Sequence, residues 1–182
     1  MTRMNHDNIS GPISDDPFGA PESGPIPDNG PTHDDGPTPD SEPIPDIKTA
    51  KLPFDSTEAL RQRWRALMGP LGFSEPCLWI GFIDNDRLVP GALPRMTLPT
   101  VPDAHLIDTL VTQLRTVTDD DGHLSLAFLL TRPGSDGITA RDLGWCRLLA
   151  SAAQRFGVPI LPIHRANDVA LETIPIPIER AA

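Results

Sequence analysis

The sequence predicts an α/β fold: a single mixed β-sheet flanked by about three helices in the order α-β-β-α-β-α-β-β, preceded by a disordered tail. Three observations lead there. Two short, largely apolar runs, Cys77–Ile83 and Leu124–Leu130, have the length and composition of buried strands. Three longer stretches repeat their apolar residues at helical spacing and alternate with those runs. Composition also shifts abruptly near residue 46. Residues 1–46 carry 10 Pro, 10 Asp or Glu and a single basic residue, Arg3, whereas residues 47–182 carry 14 basic and 15 acidic residues. Nearly all of the formal net charge of −10 therefore sits in the tail, ahead of a body the size of one ordinary domain. The expected boundaries are a disordered Pro/Asp-rich tail over residues 1–51, a single domain over 52–178 and a frayed end at 179–182.

The tail holds few large apolar residues, too few to offset the entropy of ordering it. It carries a loose repeat, Gly24-Pro-Ile-Pro-Asp28, Gly36-Pro-Thr-Pro-Asp40 and Glu42-Pro-Ile-Pro-Asp46. Such a repeat suits either a solubilising linker or a multivalent docking strip for a protein partner. In the body, Asp55-Ser-Thr-Glu58 marks a helix start, Leu60, Trp64, Leu67, Met68 and Leu71 give the helix an apolar face, and Gly69-Pro70 stops it. Arg61, Trp64 and Arg65 are the candidate partner-binding residues on that helix, the alternative being a buried tryptophan beside a solvated face. Cys77–Ile83 is a strand, 84–87 a turn, and Leu88-Val89 the start of a hairpin partner. Pro90, Pro94, Pro99 and Pro102 restrict 90–102 to an edge strand with an irregular loop.

Asp103 caps a second helix with an apolar stripe from Leu106 to Val117, and Asp119-Asp120-Asp121-Gly122 reads as a loop. Leu124–Leu130 is the next strand, 131–137 a turn-rich loop, and Thr139 the cap of a third helix of about 17 residues, closed by Gly157. Val158–Ile163 is a strand near an edge because of its two prolines. Asn167-Asp168 is a turn and 170–174 the last strand.

Several function classes lack support. No apolar stretch is long enough to span a bilayer and no signal-peptide pattern opens the chain, so a cytoplasmic setting without membrane association is expected. Cys77 and Cys146 form neither a disulfide framework nor a zinc-type pair. The near-neutral body and acidic tail argue against nucleic acid. No nucleophile elbow or phosphate loop is present, and no cofactor is implied. Asp142, Cys146, His123 and His164 form a conceivable metal set, but each has an ordinary structural role, and no metal is expected.

The loop between the strand ending at Leu130 and the helix from Thr139 is the best ligand candidate, because helix N-termini after strands attract anions. Arg132 would supply charge, and Gly134, Ser135 and Gly137 would let the backbone approach, although Asp136 opposes an anion. Should this loop be catalytic, Asp142 would be the base and Thr139 an oriented hydroxyl.

The run Leu124–Thr131, Arg132-Pro133-Gly134-Ser135-Asp136-Gly137-Ile138-Thr139-Ala140-Arg141-Asp142, the helix to Phe156 and then Gly157-Val-Pro resembles the core of the RadC-type JAB/MPN domains. Their motif places His-x-His-Pro after a strand and Ser-x-x-Asp at a helix start. Pro133 matches the motif proline and Thr139-Ala-Arg-Asp142 matches Ser-x-x-Asp. The motif histidines fall on Leu130 and Arg132, neither of which donates an electron pair to a metal. The resemblance implies a degenerate member without hydrolytic chemistry. The expected function is a non-catalytic, intracellular protein-interaction module. The alternative is a hydrolase or a nucleotide- or anion-binding protein using loop 131–142.

Overall fold

The computed structural model describes residues 43–89, 91 and 93–175; the expectations for residues 1–42 and 179–182 lie outside the described residues. The architecture is of the α/β class, with three α-helices and a mixed, six-stranded sheet among the described residues.

Residues 47–51, assigned from sequence to the tail, instead form a short 3-10 helix against the domain, with Asp46 accepting from Lys48 N–H and Ala50 buried. Helix α1 (Thr57–Met68) follows, its Ser56 hydroxyl accepting from Ala59 N–H, and it stops at Gly69. Strand β1 (Cys77–Asp84) turns through Asn85 and Asp86, both at positive φ, the backbone a two-residue hairpin demands, into β2 (Arg87–Leu88). Strand β3 (Arg95–Thr97) pairs with the other end of β1, the short edge strand that the four prolines allow.

Helix α2 (Ala104–Asp121) is capped by Asp103 and runs past the expected loop at 119–121, ending at Gly122 in the left-handed conformation. The three aspartates thus belong to the last turn of the helix rather than to a loop, and Val117, expected on the apolar stripe, is 42 % exposed. Strand β4 (Ser125–Thr131) leads to α3 (Ala140–Phe156), whose 17 residues match the expected length and which Gly157 closes in the left-handed conformation.

The strand expected at 158–163 is not formed. Pro159 and Pro162 lack the N–H a ladder needs, so only Ile160 bridges to Leu126, and the strand β5 proper (His164–Ala166) begins after Pro162. Strand β6 (Leu171–Thr173) completes the sheet.

The order is β2-β1-β4-β5-β6, with β3 also on β1; β4 and β5 are parallel and the other pairs antiparallel. Alternation along β4 divides the core in two. Leu126, Phe128 and Leu130 pack with Ile107 and Val111 of α2 and Trp145, Cys146 and Leu149 of α3. Ala127 and Leu129 pack on the opposite face with Leu60 and Trp64 of α1. Trp64 lies over β1 at Gly81. A methyl group there would meet Leu88 Cδ2 at 2.6 Å and the indole at 3.2 Å, so the glycine is the slot that admits the ring. Among the described residues no helix is long and apolar enough to cross a membrane.

Candidate functional site

The loop between β4 and α3 is built around one arginine. Where β4 ends, Arg132 N–H donates to Ala166 C=O, which locks the strand's exit to β5. The Arg132 side chain then folds back under the loop. Its Nε donates to both carboxylate oxygens of Asp142 at 3.2 Å, Nη1 donates to Pro133 C=O, and Nη2 donates to the carbonyls of Asp136 and Gly137. Asp142 in turn closes the helix start. Its Oδ2 accepts from Thr139 N–H at 2.8 Å while the Thr139 hydroxyl accepts from Asp142 N–H, a reciprocal capping box. The pair is enclosed, with Arg132 9 % and Asp142 4 % exposed.

The far side of the loop is held from the β5–β6 turn. Asn167 Nδ2 donates to Asp136 C=O. Asp168 accepts from Gly134 N–H at 2.7 Å and from Phe73 N–H at 2.9 Å, and its own N–H donates to Gly134 C=O. Donation by these two backbone groups holds the Asp168 carboxyl below the usual carboxylate range, and the nearby Arg132 charge adds to the effect. Residues 133–137 are therefore exposed to solvent and yet fixed at both ends.

Of the anion-site candidates Arg132, Gly134, Ser135 and Gly137, the arginine is turned inward while the other three stay on the exposed loop. The guanidinium faces inward and each of its nitrogens donates to a protein oxygen, so its charge is directed at the Asp142 carboxylate and the loop's own carbonyls. The catalytic alternative draws on the same residues: Arg132, Thr139 and Asp142 converge, but on one another, and four cavities among the described residues have other linings.

The expected docking face on α1 is corrected too. Trp64 is 0 % exposed. Arg61 chelates Glu58 and donates to Leu171 C=O, Arg63 donates to the carbonyls of Leu52 and Pro53, and Arg65 donates to Gly69 C=O. These half-exposed arginines tie α1 to neighbouring backbone.

The four residues of the conceivable metal set are not brought together, and among the described residues no three His, Cys, Asp or Glu side chains form a group able to hold an ion. Cys146 and Asp142 lie on α3, whereas His164 pairs in register with Leu129 and so faces α1. Burial pushes the Cys146 thiol up to about 12, far from the thiolate a metal requires.

Sequence reasoning missed the mutual engagement of Arg132 and Asp142 and the bracing by Asn167 and Asp168. The signal available was the capping box, which put Asp142 at a helix start, and the turn at 167–168. Nothing local joined either to the loop. Comparison with protein-family models, with curated proteins and with solved structures finds no match.

Proposed function

We propose that the chain is a non-catalytic protein-interaction module whose docking element is the braced loop 133–137, in a domain resembling a JAB/RadC-type fold that has lost its metal site. The observation carrying this reading is the inward Arg132–Asp142 pair. A guanidinium occupies the acid that the family's motif would give to a metal ion, and the loop above it is exposed and braced at both ends. A preorganised loop loses little conformational entropy on binding, which favours recognition. The hydrolase or anion-binding reading has lost its charge and its base to the same ion pair.

Two measurements test this. In the double variant Leu130→His, Arg132→His, both imidazoles would lie on the side of β4 facing α3, within reach of Asp142, a set of three ligands with an open position. The expected result is one zinc bound per chain at micromolar metal, against none for the unaltered protein. A folded double variant that binds no zinc sinks the family resemblance.

The second measurement is capture of cellular partners by the full chain and by Ser135→Trp and Asp136→Arg, whose side chains lie on the exposed loop. Both variants are expected to melt within a degree or so of the parent, as exposed substitutions do, and to lose the captured protein. Undiminished capture by both would remove the loop from the interface.

A further inference from the structure

Arg165, in the middle of β5, is fully enclosed at 0 % exposure. Its register partners are Leu130 on β4 and Glu172 on β6, so it lies on the sheet face that carries α2 and α3. Nε, Nη1 and Nη2 of its guanidinium make no hydrogen bond. Glu172 Oε2 approaches Nη2 only to 3.5 Å, and the Glu172 side chain is 44 % exposed, so the counter-charge is drawn toward water rather than enclosed with the cation. The contrast with Arg132 is direct. Two residues beyond Leu130 and just past the end of β4, Arg132 has each of its nitrogens donating to protein oxygen.

Buried polar groups in proteins are as a rule hydrogen-bonded, and a buried cation with idle donors is among the least favourable groups a fold can hold. A guanidinium presents its donors as a planar fork, matched to two oxygens of one carboxylate or phosphate. The unbonded donors lie at the short edge pair β5–β6, where the acid within ion-pair distance, Glu172, is itself partly exposed. We infer that Arg165 is the floor of an oxyanion site at this edge, which takes a phosphate or carboxylate group between its guanidinium and the Glu172 strand. Glu172 is the displaceable counter-ion, and its outward swing opens the way in.

The test uses the full chain, titrated with inorganic phosphate and separately with acetate, at constant ionic strength balanced with chloride. Saturable binding at one anion per chain is expected for at least one of them. The melting midpoint should rise by about 4 °C at about tenfold excess over Kd. Response to phosphate alone points to a phosphorylated or free phosphate ligand, and response to acetate alone to a carboxylate ligand. Arg165→Met, an apolar replacement of similar length that buried charges usually tolerate, should weaken binding at least about tenfold. Glu172→Gln, which removes the competing carboxylate, should tighten it about threefold. Absence of saturable binding to the unaltered chain overturns the inference and leaves water as the guanidinium's partner. Unchanged affinity in a folded Arg165→Met overturns it as well. Should that variant not fold, unchanged affinity in Glu172→Gln decides against the site.

Discussion

Asp142→Ala is expected to destabilise the domain by about 3–5 kcal/mol, the usual consequence of removing one partner from an enclosed ion pair. The alanine cannot accept from Arg132 Nε, nor from Thr139 N–H, so a buried cation and a helix-start donor are orphaned together. Arg132→Met should be milder, about 1–2 kcal/mol, since the Asp142 carboxylate it leaves still accepts from the Thr139 N–H and hydroxyl, and the carbonyls it releases at 136 and 137 lie in exposed loop where water can reach them. The double variant should then be no worse than Asp142→Ala alone, because no unpaired charge remains. Urea unfolding of the four proteins gives the cycle. A loss below about 1 kcal/mol for Asp142→Ala would show that the pair is not holding the loop.

His164 should produce the second large effect, this time through pH. The ring is fully enclosed between β5 and α1, with neither nitrogen in a hydrogen bond, and burial lowers its pKa to about 4. Backbone groups of Thr57 and Pro162 and the Glu58 carboxylate oppose the shift, while the Arg61 charge on α1 reinforces it. Because the folded value lies below the ordinary histidine value, the unfolded chain takes up the proton first. Stability is complete above about pH 6.5 and falls as pH drops toward 4. The loss reaches about 2 kcal/mol at pH 5 and about 3 kcal/mol near pH 4. His164→Leu removes this term. Its stability relative to the parent should therefore rise steadily from pH 7 to pH 4.5, as followed by chemical unfolding at each pH. A constant difference across that range would mean that the imidazole is already satisfied in the folded chain.

What the sequence disclosed was the chemistry that acts locally. Thr139, Asp103 and Gly157 mark their helix ends because caps satisfy backbone groups within a few residues. The runs at 77–83 and 124–130 read as strands because β1 and β4 are covered on both faces, which demands continuous apolar character. What stayed hidden depends on distance along the chain. Arg132 meets Asp142 only through the particular path of the loop, and Asp168 reaches Phe73 across 95 residues of sequence. The segment after Pro162 looked like the tail of a strand. It is a strand between two neighbours, and the polar residues His164 and Arg165 stand where such a strand is ordinarily apolar. That mismatch was visible in the sequence, but only register could turn it into a claim about faces.

The slot at Gly81 has a practical consequence. With no tyrosine in the chain, near-ultraviolet emission comes from three tryptophans. Trp64, seated against that glycine with its indole N–H unbonded, samples the layer beneath α1, and Trp145 samples the opposite layer under α3. Each half of the interior thus carries its own optical probe, and replacing one indole at a time by phenylalanine reveals whether the two halves melt in concert or in sequence.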